Sequence, residues 1–219
     1  MEKSHKLIIA PTNCGKSYLC NYLLSTNSLG DYDLIILVTD LAKEIKNDEV
    51  NNQYIESNNI VKKNVTNNLN NKTFMRIKEY CSSKNGRSVL IILDDLNKLI
   101  DTKNANNKKE MAEINQTKSN LNFIFSEGRH IGIYCIALVQ YYKTLPPIIR
   151  NNSRYHIIVF GSNLIAETLY EYISHYFESR DELKEFIAKY NVDHCSIAFD
   201  THNPSRIKKD NIILIKPSS

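Results

Sequence analysis

Short apolar runs punctuate the chain at Lys6–Ala10, Leu34–Val38, Val89–Leu93, Gly132–Val139 and Tyr155–Phe160, and two more, His194–Phe199 and Asn211–Ile215, follow near its end. They are continuous rather than alternating, the pattern of strands buried on both faces. Between them the apolar residues recur at helical spacing. The clearest case is Asn163–Phe177, where Ile165, Leu169, Tyr172, Ile173 and Tyr176 share one face. A helix over Lys108–Phe125 would carry Met111, Ile114, Leu121 and Ile124 on one stripe, and one over Arg180–Lys189 would turn Leu183, Phe186 and Ile187 inward. Gly15–Ser25 and Thr73–Ser82 are further helix candidates, whereas Asn-rich Asn47–Lys72 and polar, basic Asn97–Lys109 read as loops. Strands alternating with helices predict an α/β fold around a mostly parallel sheet flanked by helices. The last two strands would extend its edge.

The turn after the first run changes this from a fold class to a chemistry. Ala10-Pro11-Thr12-Asn13-Cys14-Gly15-Lys16-Ser17 matches the phosphate-binding pattern G-x-x-x-x-G-K-[ST], with Ala10 in place of the first glycine. Backbone N–H groups must wrap phosphate oxygens, so a glycine is needed at Gly15 where a side chain would obstruct them. The N-terminus of the following helix adds partial positive charge. Lys16 would reach the β- and γ-phosphates of ATP, and the Ser17 hydroxyl would ligate Mg²⁺. A strand before the loop and a helix after it are the required context. Ala10 restricts the backbone at the loop's entrance, and Cys14 reads as a small neutral loop residue.

A second constellation closes the run Val89–Leu93, which ends in Asp94-Asp95. The C-terminal ends of strands in a parallel sheet are where ligands sit. Asp94 would hold Mg²⁺, and Asp95 would polarise the attacking water as general base. Two adjacent acids after a strand are also an ordinary solvated turn; the phosphate loop upstream is what favours the functional reading.

Composition narrows the setting. The 219 residues suit one domain over 1–219, with a catalytic core over about 6–160 and a helical and strand extension over about 161–219. A net charge of +4 permits nucleic-acid contact without requiring it. Five cysteines with no metal-ligand spacing favour a reduced compartment. No run approaches the ~20 apolar residues of a membrane span.

Further along stand Ser126-Glu127-Gly128-Arg129-His130, a strand ending in Gln140, and Pro146-Pro147-Ile148-Ile149-Arg150-Asn151-Asn152. In this order, after both nucleotide motifs, they resemble the A32-like genome-packaging ATPases of large DNA viruses and virophages, within the FtsK–HerA branch of P-loop NTPases. The resemblance covers residues 6–160, with Asp95 where many relatives have Glu. It implies a homo-oligomeric ring that drives double-stranded DNA into a capsid, partnered by a capsid vertex protein, inside the host cell where virions assemble. It also implies that Gln140 is a polar sensor beside the γ-phosphate, and that Arg129 or Arg150 serves as an arginine finger for a neighbouring subunit. The plainer alternatives are that Gln140 caps the strand end, Arg129 is a cation at a helix C-terminus, and His130 is a turn residue.

Lys98, Lys103, Lys108 and Lys109, and a second cluster of Arg206, Lys208 and Lys209, are candidate contacts to DNA phosphates; a solvated basic surface is the plainer reading of each. Two other functions stay open: a nucleoside or nucleotide kinase, and a nucleotide-dependent assembly subunit with negligible turnover. The arginine-free stretch Lys98–Lys109 argues against a kinase lid.

Overall fold

The apolar runs pair into one sheet. The computed structural model describes residues 1–47, 64–83, 86–159, 166–202 and 212–217. Its strands are β1 (Lys6–Ile9), β2 (Leu34–Val38), β3 (Val65–Thr66), β4 (Val89–Leu93), β5 (Ile133–Val139), β6 (Tyr155–Ile158), β7 (Ser196–Asp200) and β8 (Ile212–Ile215). They lie in the order β3-β2-β4-β5-β1-β6-β7-β8. β1 to β6 run parallel, and β7 and β8 join antiparallel at one edge. The helices are α1 (Lys16–Ser25), α2 (Ala42–Lys46), α3 (Asn71–Ser82), α4 (Leu96–Leu99), α5 (Lys108–Glu127), α6 (Pro147–Asn152), α7 (Ala166–Ile173) and α8 (Arg180–Tyr190).

Alternate residues of each central strand serve opposite faces. Leu7, Ile9, Ile91, Leu93, Ala137 and Val139 pack with Phe74, Leu121, Ile124 and Leu183 on one side. Ile8, Leu90, Ile92, Ile136 and Leu138 pack with Leu19, Leu23 and Ile45 on the other. Both faces are apolar, which is why the runs are continuous; burying each such side chain stabilises the fold by ~1.5–3 kcal/mol.

Two loop expectations need correction. β3 and the start of α3 fall inside Asn47–Lys72, whose residues 48–63 lie outside the described ones. Most of α4, a 3₁₀ turn, Thr102–Asn104, and the start of α5 fall inside Asn97–Lys109. The asparagines there do structural work. Asn70 accepts a hydrogen bond from Thr73 N at 3.0 Å and Asn107 from Glu110 N at 2.9 Å, capping α3 and α5. Leu121 and Ile124 of α5 are buried as expected, but Met111 is 38% exposed. The middle of α5 is held by polar contacts: Leu69 N donates to Thr117 Oγ1, and Asn120 Nδ2 donates to Leu69 O at 2.7 Å. The helix expected from Asn163 is described from Ala166, ending in a 3₁₀ turn, Ser174–Tyr176; Leu169, Ile173 and Tyr176 are buried, while Ile165 lies outside the described residues. Phe160 and Asn211, expected strand ends, also lie outside them.

One strand residue breaks the apolar rule. Lys6 is fully buried at the base of β1, its ammonium donating to Glu2 O at 2.7 Å and Ser4 O at 3.2 Å and lying over the Tyr155 ring. Burial lowers its pKa to about 7. The unfolded chain keeps that proton up to about 10.5, so between the two values it binds more protons than the folded chain. Folding stability therefore rises with pH from about 7, by at most ~1.4 kcal/mol per unit. Above pH 9 the buried thiols of Cys20 and Cys135, pushed up by burial, oppose the trend. Urea unfolding between pH 7 and 9 should show this rise, and Lys6→Met should reduce it, leaving the smaller part due to the N-terminal amine and Lys16. The same slope in both proteins would contradict the assignment.

Candidate nucleotide site

The site forms where β1, β4 and β5 end. Register explains why. Ile9 lies level with Val139, but Leu93 lies level with Ala137, two residues lower on β5. Asp94 and Asp95 therefore rise alongside the last residues of β5, and Gln140 emerges between the acid pair and the loop after β1.

The loop itself is tied down at its entrance. Ala10 N donates to Val139 O at 3.1 Å, and Ala10 is fully buried. Ala10 is not among the residues with positive φ, so its backbone does not require glycine. The left-handed positions are Asn13 (φ 60°) and Gly15 (φ 80°), the second being one that only glycine adopts without strain. Lys16 opens α1 and folds back, its Nζ donating to Ala10 O at 2.8 Å and Pro11 O at 2.7 Å. Burial lowers its pKa, while the charges of Asp95, Cys14 and Asp94 act the other way. Ser17 stands half-buried in the first turn of α1.

Asp94 accepts from Thr39 Oγ1 at 3.3 Å, and its own N–H donates to Val38 O. Burial raises its pKa; the Thr39 bond and Lys16 oppose the rise, and Asp40 and Asp95 add to it. Asp95 sits in left-handed backbone, φ 54° and ψ 64°, a strain on the order of 1 kcal/mol for a non-glycine residue. That conformation lets its carboxylate accept from Gln140 Nε2 at 2.8 Å. A carboxylate can only accept, so the amide must turn its NH₂ toward Asp95 and its oxygen toward Thr12. Thr12 Oγ1 donates to that oxygen at 3.1 Å. A chain Thr12–Gln140–Asp95 thus joins the phosphate loop to the acid pair.

Lys16, Asp94, Asp95 and Gln140 therefore meet, whereas the two arginines lie apart. Arg129 is in a 3₁₀ turn, Gly128–Ile131, before β5. The seven residues of β5, at ~3.3 Å each, put it roughly 20 Å from its own loop, at the opposite end of the strands. Its carbonyl accepts from Gly132 N at 3.3 Å, while its half-buried guanidinium makes no hydrogen bond or ion pair with the described residues, though its charge reaches His5 and His202. The Arg150 guanidinium is engaged within its own chain, 5.8 Å from the Tyr142 ring centre and 5.3 Å from that of Tyr172, with Nη1 donating to Lys143 O. His130 is exposed in the turn.

Two residues of the site escaped the sequence reading. Thr39 directly follows the run Leu34–Val38, so its place at a strand end was legible. Asn97 lies in the stretch read as loop, and no local pattern marks it. Beside the site opens a cavity of about 670 Å³, lined by Asp95, Asn97, Lys98, Lys103, Lys118 and Gln140 among others. Lys98 forms an ion pair with Asp40.

The residues present fit a magnesium nucleotide. Lys16 spends its protons on loop carbonyls that phosphate oxygens would replace as acceptors. Asp94 is a half-buried carboxylate beside two others, a site that a divalent cation would relieve. Among the described residues no cluster of three His, Cys, Asp or Glu is able to hold a metal by itself. Mg²⁺ commonly takes one or two carboxylates and completes its shell with substrate phosphates and water.

A parallel sheet with a phosphate loop after β1, an acid pair after β4 and a polar residue ending the strand between them defines a P-loop NTPase. The chain belongs to the family of the poxvirus A32 protein, whose model matches residues 2–192. The resemblance to the A32-like packaging ATPases is thereby borne out. No curated protein matches. The fold is similar to that of the genome-packaging NTPase B204 of Sulfolobus turreted icosahedral virus 2, solved with ATP-γ-S: 17% identity, 99% of this chain, 98% of that one, TM-score 0.59. B204 of Sulfolobus turreted icosahedral virus, a DNA-packaging ATPase, matches at 16% identity over 99% and 98% of the two chains, TM-score 0.59. The pCW3 conjugation coupling protein TcpA, with ATP-γ-S, matches at 15% over 98% of this chain and 60% of that one, TM-score 0.61.

A methyl group added at Gly15 meets nothing closer than Val159 Cγ1 at 4.0 Å, so the cost of Gly15→Ala is in the backbone. It should destabilise the fold by about 1–2 kcal/mol and weaken titration with a fluorescent ATP analogue at least tenfold. Unchanged affinity would show that the loop does not hold phosphates in this conformation.

Proposed function

We propose that the chain is an ATP-hydrolysing motor that translocates double-stranded DNA into a viral capsid. The observation that carries the proposal is the convergence of Lys16, Asp94, Asp95 and Gln140 on one sheet edge, in a member of the A32 family. In this reading the loop Ala10–Ser17 holds the triphosphate and Lys16 neutralises the β- and γ-phosphates. Ser17 and Asp94 would hold Mg²⁺, which when bound neutralises charge on the phosphate oxygens. Asp95 accepts a proton from the attacking water as its oxygen bonds to the γ-phosphorus and the bond to the β–γ bridging oxygen breaks. Gln140 orients that water or the γ-phosphate.

Arg129 is the stronger candidate for the trans finger. Its guanidinium makes no hydrogen bond or ion pair with the described residues and lies too far from its own loop to act there, whereas Arg150 is occupied by two tyrosine rings and a carbonyl. A finger acting in trans requires a neighbouring subunit, which a ring would supply to every site. Lys98, Lys103, Lys108 and Lys109 would meet DNA phosphates; Arg206, Lys208 and Lys209 lie outside the described residues. A capsid vertex protein would anchor the ring at the place of virion assembly inside the host cell. The cysteines Cys14, Cys20, Cys81, Cys135 and Cys195 are all free, in keeping with a reduced compartment. No described helix is long and apolar enough to cross a membrane.

Asp95→Asn should lower ATP turnover by about 10²–10⁴-fold, the worth of a positioned base, with phosphate released to water and none transferred to nucleosides or nucleoside monophosphates. Equal turnover in wild type and variant would favour the assembly-subunit function, and phosphate transfer the kinase. Mixing Arg129→Ala with Lys16→Ala, each inactive alone, should restore part of the rate, because some interfaces then pair an intact loop with an intact arginine. No gain on mixing would exclude Arg129 as the finger.

A further inference from the structure

The backbone of Gln140 is held as closely as its side chain, and by one residue. Asn97 Oδ1 accepts from Gln140 N at 2.8 Å and from Tyr141 N at 3.1 Å. Asn97 Nδ2 donates to Tyr141 O at 2.9 Å and to Thr144 Oγ1 at 2.8 Å. Thr144 Oγ1 in turn donates to Tyr141 O at 2.8 Å, closing the ring. A carboxamide has two donors and one oxygen with two lone pairs, so this side chain is fully spent. Aspartate has the acceptors without the donors. Leucine has neither. A glutamine is longer by one methylene and cannot reach all four partners from the same backbone.

Position matters as much as number. Past Val139 the ladder between β5 and β1 ends, and Gln140 and Tyr141 would otherwise look to water for their N–H partners. Asn97 replaces that water at a fixed place. It stands two residues after Asp95, in the first turn of α4, whose start is set by the left-handed Asp95 backbone. The segment 95–97 thus grips Gln140 twice: Asp95 at the side-chain amide and Asn97 at the main-chain N–H. Asn97 is half-buried and belongs to neither apolar core. Its contacts go to the exit of β5 rather than to the packing that holds the sheet.

We propose that Asn97 is a positioning residue for ATP hydrolysis, fixing the exit of β5 so that Gln140 is presented to Asp95 and to the phosphate loop. This rests on the reading of Gln140 as the group that orients the γ-phosphate or the attacking water. Asn97 touches neither, and it acts through Gln140. Loss of Asn97 frees the Gln140–Thr144 turn to sample other conformations. The nucleotide is still bound by the loop, but the polar group opposite it is in place for a smaller share of the time.

The test is a double-mutant cycle read in kcat and KM, using the full chain and Mg-ATP. Asn97→Ala should lower kcat by about 10- to 100-fold while KM stays within about threefold, since loop contacts to ground-state ATP persist. In a Gln140→Ala background the same substitution should lower kcat by less than about threefold, because the residue it serves is gone. Thermal unfolding keeps a structural effect apart: Asn97→Ala should melt within about 5 °C of wild type. Should Asn97→Ala not fold, Thr144→Val removes one of the four bonds; it should lower kcat about two- to fivefold, an effect absent in the Gln140→Ala background. Equal losses from Asn97→Ala with and without Gln140 would overturn the proposal, as would wild-type kcat in Asn97→Ala. Wild-type kcat in Gln140→Ala would instead remove the reading of Gln140 itself, and this proposal with it.

Discussion

The placement of β5 between β1 and β4 is the constraint on which the site depends. Were β1 and β4 neighbours, the acid pair would face the phosphate loop directly and nothing would stand between them. With β5 inserted, its exit residue Gln140 reaches both, bonded to Thr12 of the loop and to Asp95 of the pair. The two-residue offset between β4 and β5 brings the acids up to that level. Sheet order and register, both products of apolar packing, therefore determine which polar groups meet.

That meeting has electrostatic costs, and the fold offsets them locally. Asp94 is half-buried near two other carboxylates, relieved by the Thr39 hydroxyl and by Lys16. Lys16 is half-buried and would lose its charge more readily without Asp95 and Asp94 nearby. Two buried histidines carry a different burden. His5, just before β1, and His156, within β6 and packed on Tyr142, are held neutral, their pKa values lowered to about 3 chiefly by burial. Neither hydrogen-bonds the phosphate loop or the acid pair, so their effect falls on folding. Each contributes stability that is lost as pH falls below the ordinary histidine value of 6.5.

Much of this was legible in the residues, for physical reasons that differ by element. The central strands announced themselves because both faces of the sheet are covered, which forces continuous apolar runs. The phosphate loop was legible because backbone geometry and phosphate chemistry both demand particular residue types at Gly15, Lys16 and Ser17. Thr39 and Asn97 were not read, since their roles depend on which strand ends adjoin, a property of topology. The asparagine-rich stretches misled for a related reason. Asn70 and Asn107 are helix caps, yet asparagine is as common in loops as at caps. The substitution of Ala10 for glycine looked like a departure and proved harmless, because that position has ordinary backbone and only Asn13 and Gly15 of the loop turn left-handed. Arg129 and Arg150 look alike in sequence and differ in structure: the first has a guanidinium without a hydrogen bond or ion pair to the described residues, the second lies over two tyrosine rings.

The central claim is that nucleotide hydrolysis at this sheet edge drives movement along DNA. Its most direct test is steady-state ATP hydrolysis with and without long double-stranded DNA, with Lys16→Ala as the blank. Stimulation by DNA, absent in the Lys16 variant and weakening as salt displaces the protein from the phosphates, is the result this account predicts. A Lys16-dependent rate that DNA leaves unchanged at low salt would contradict it.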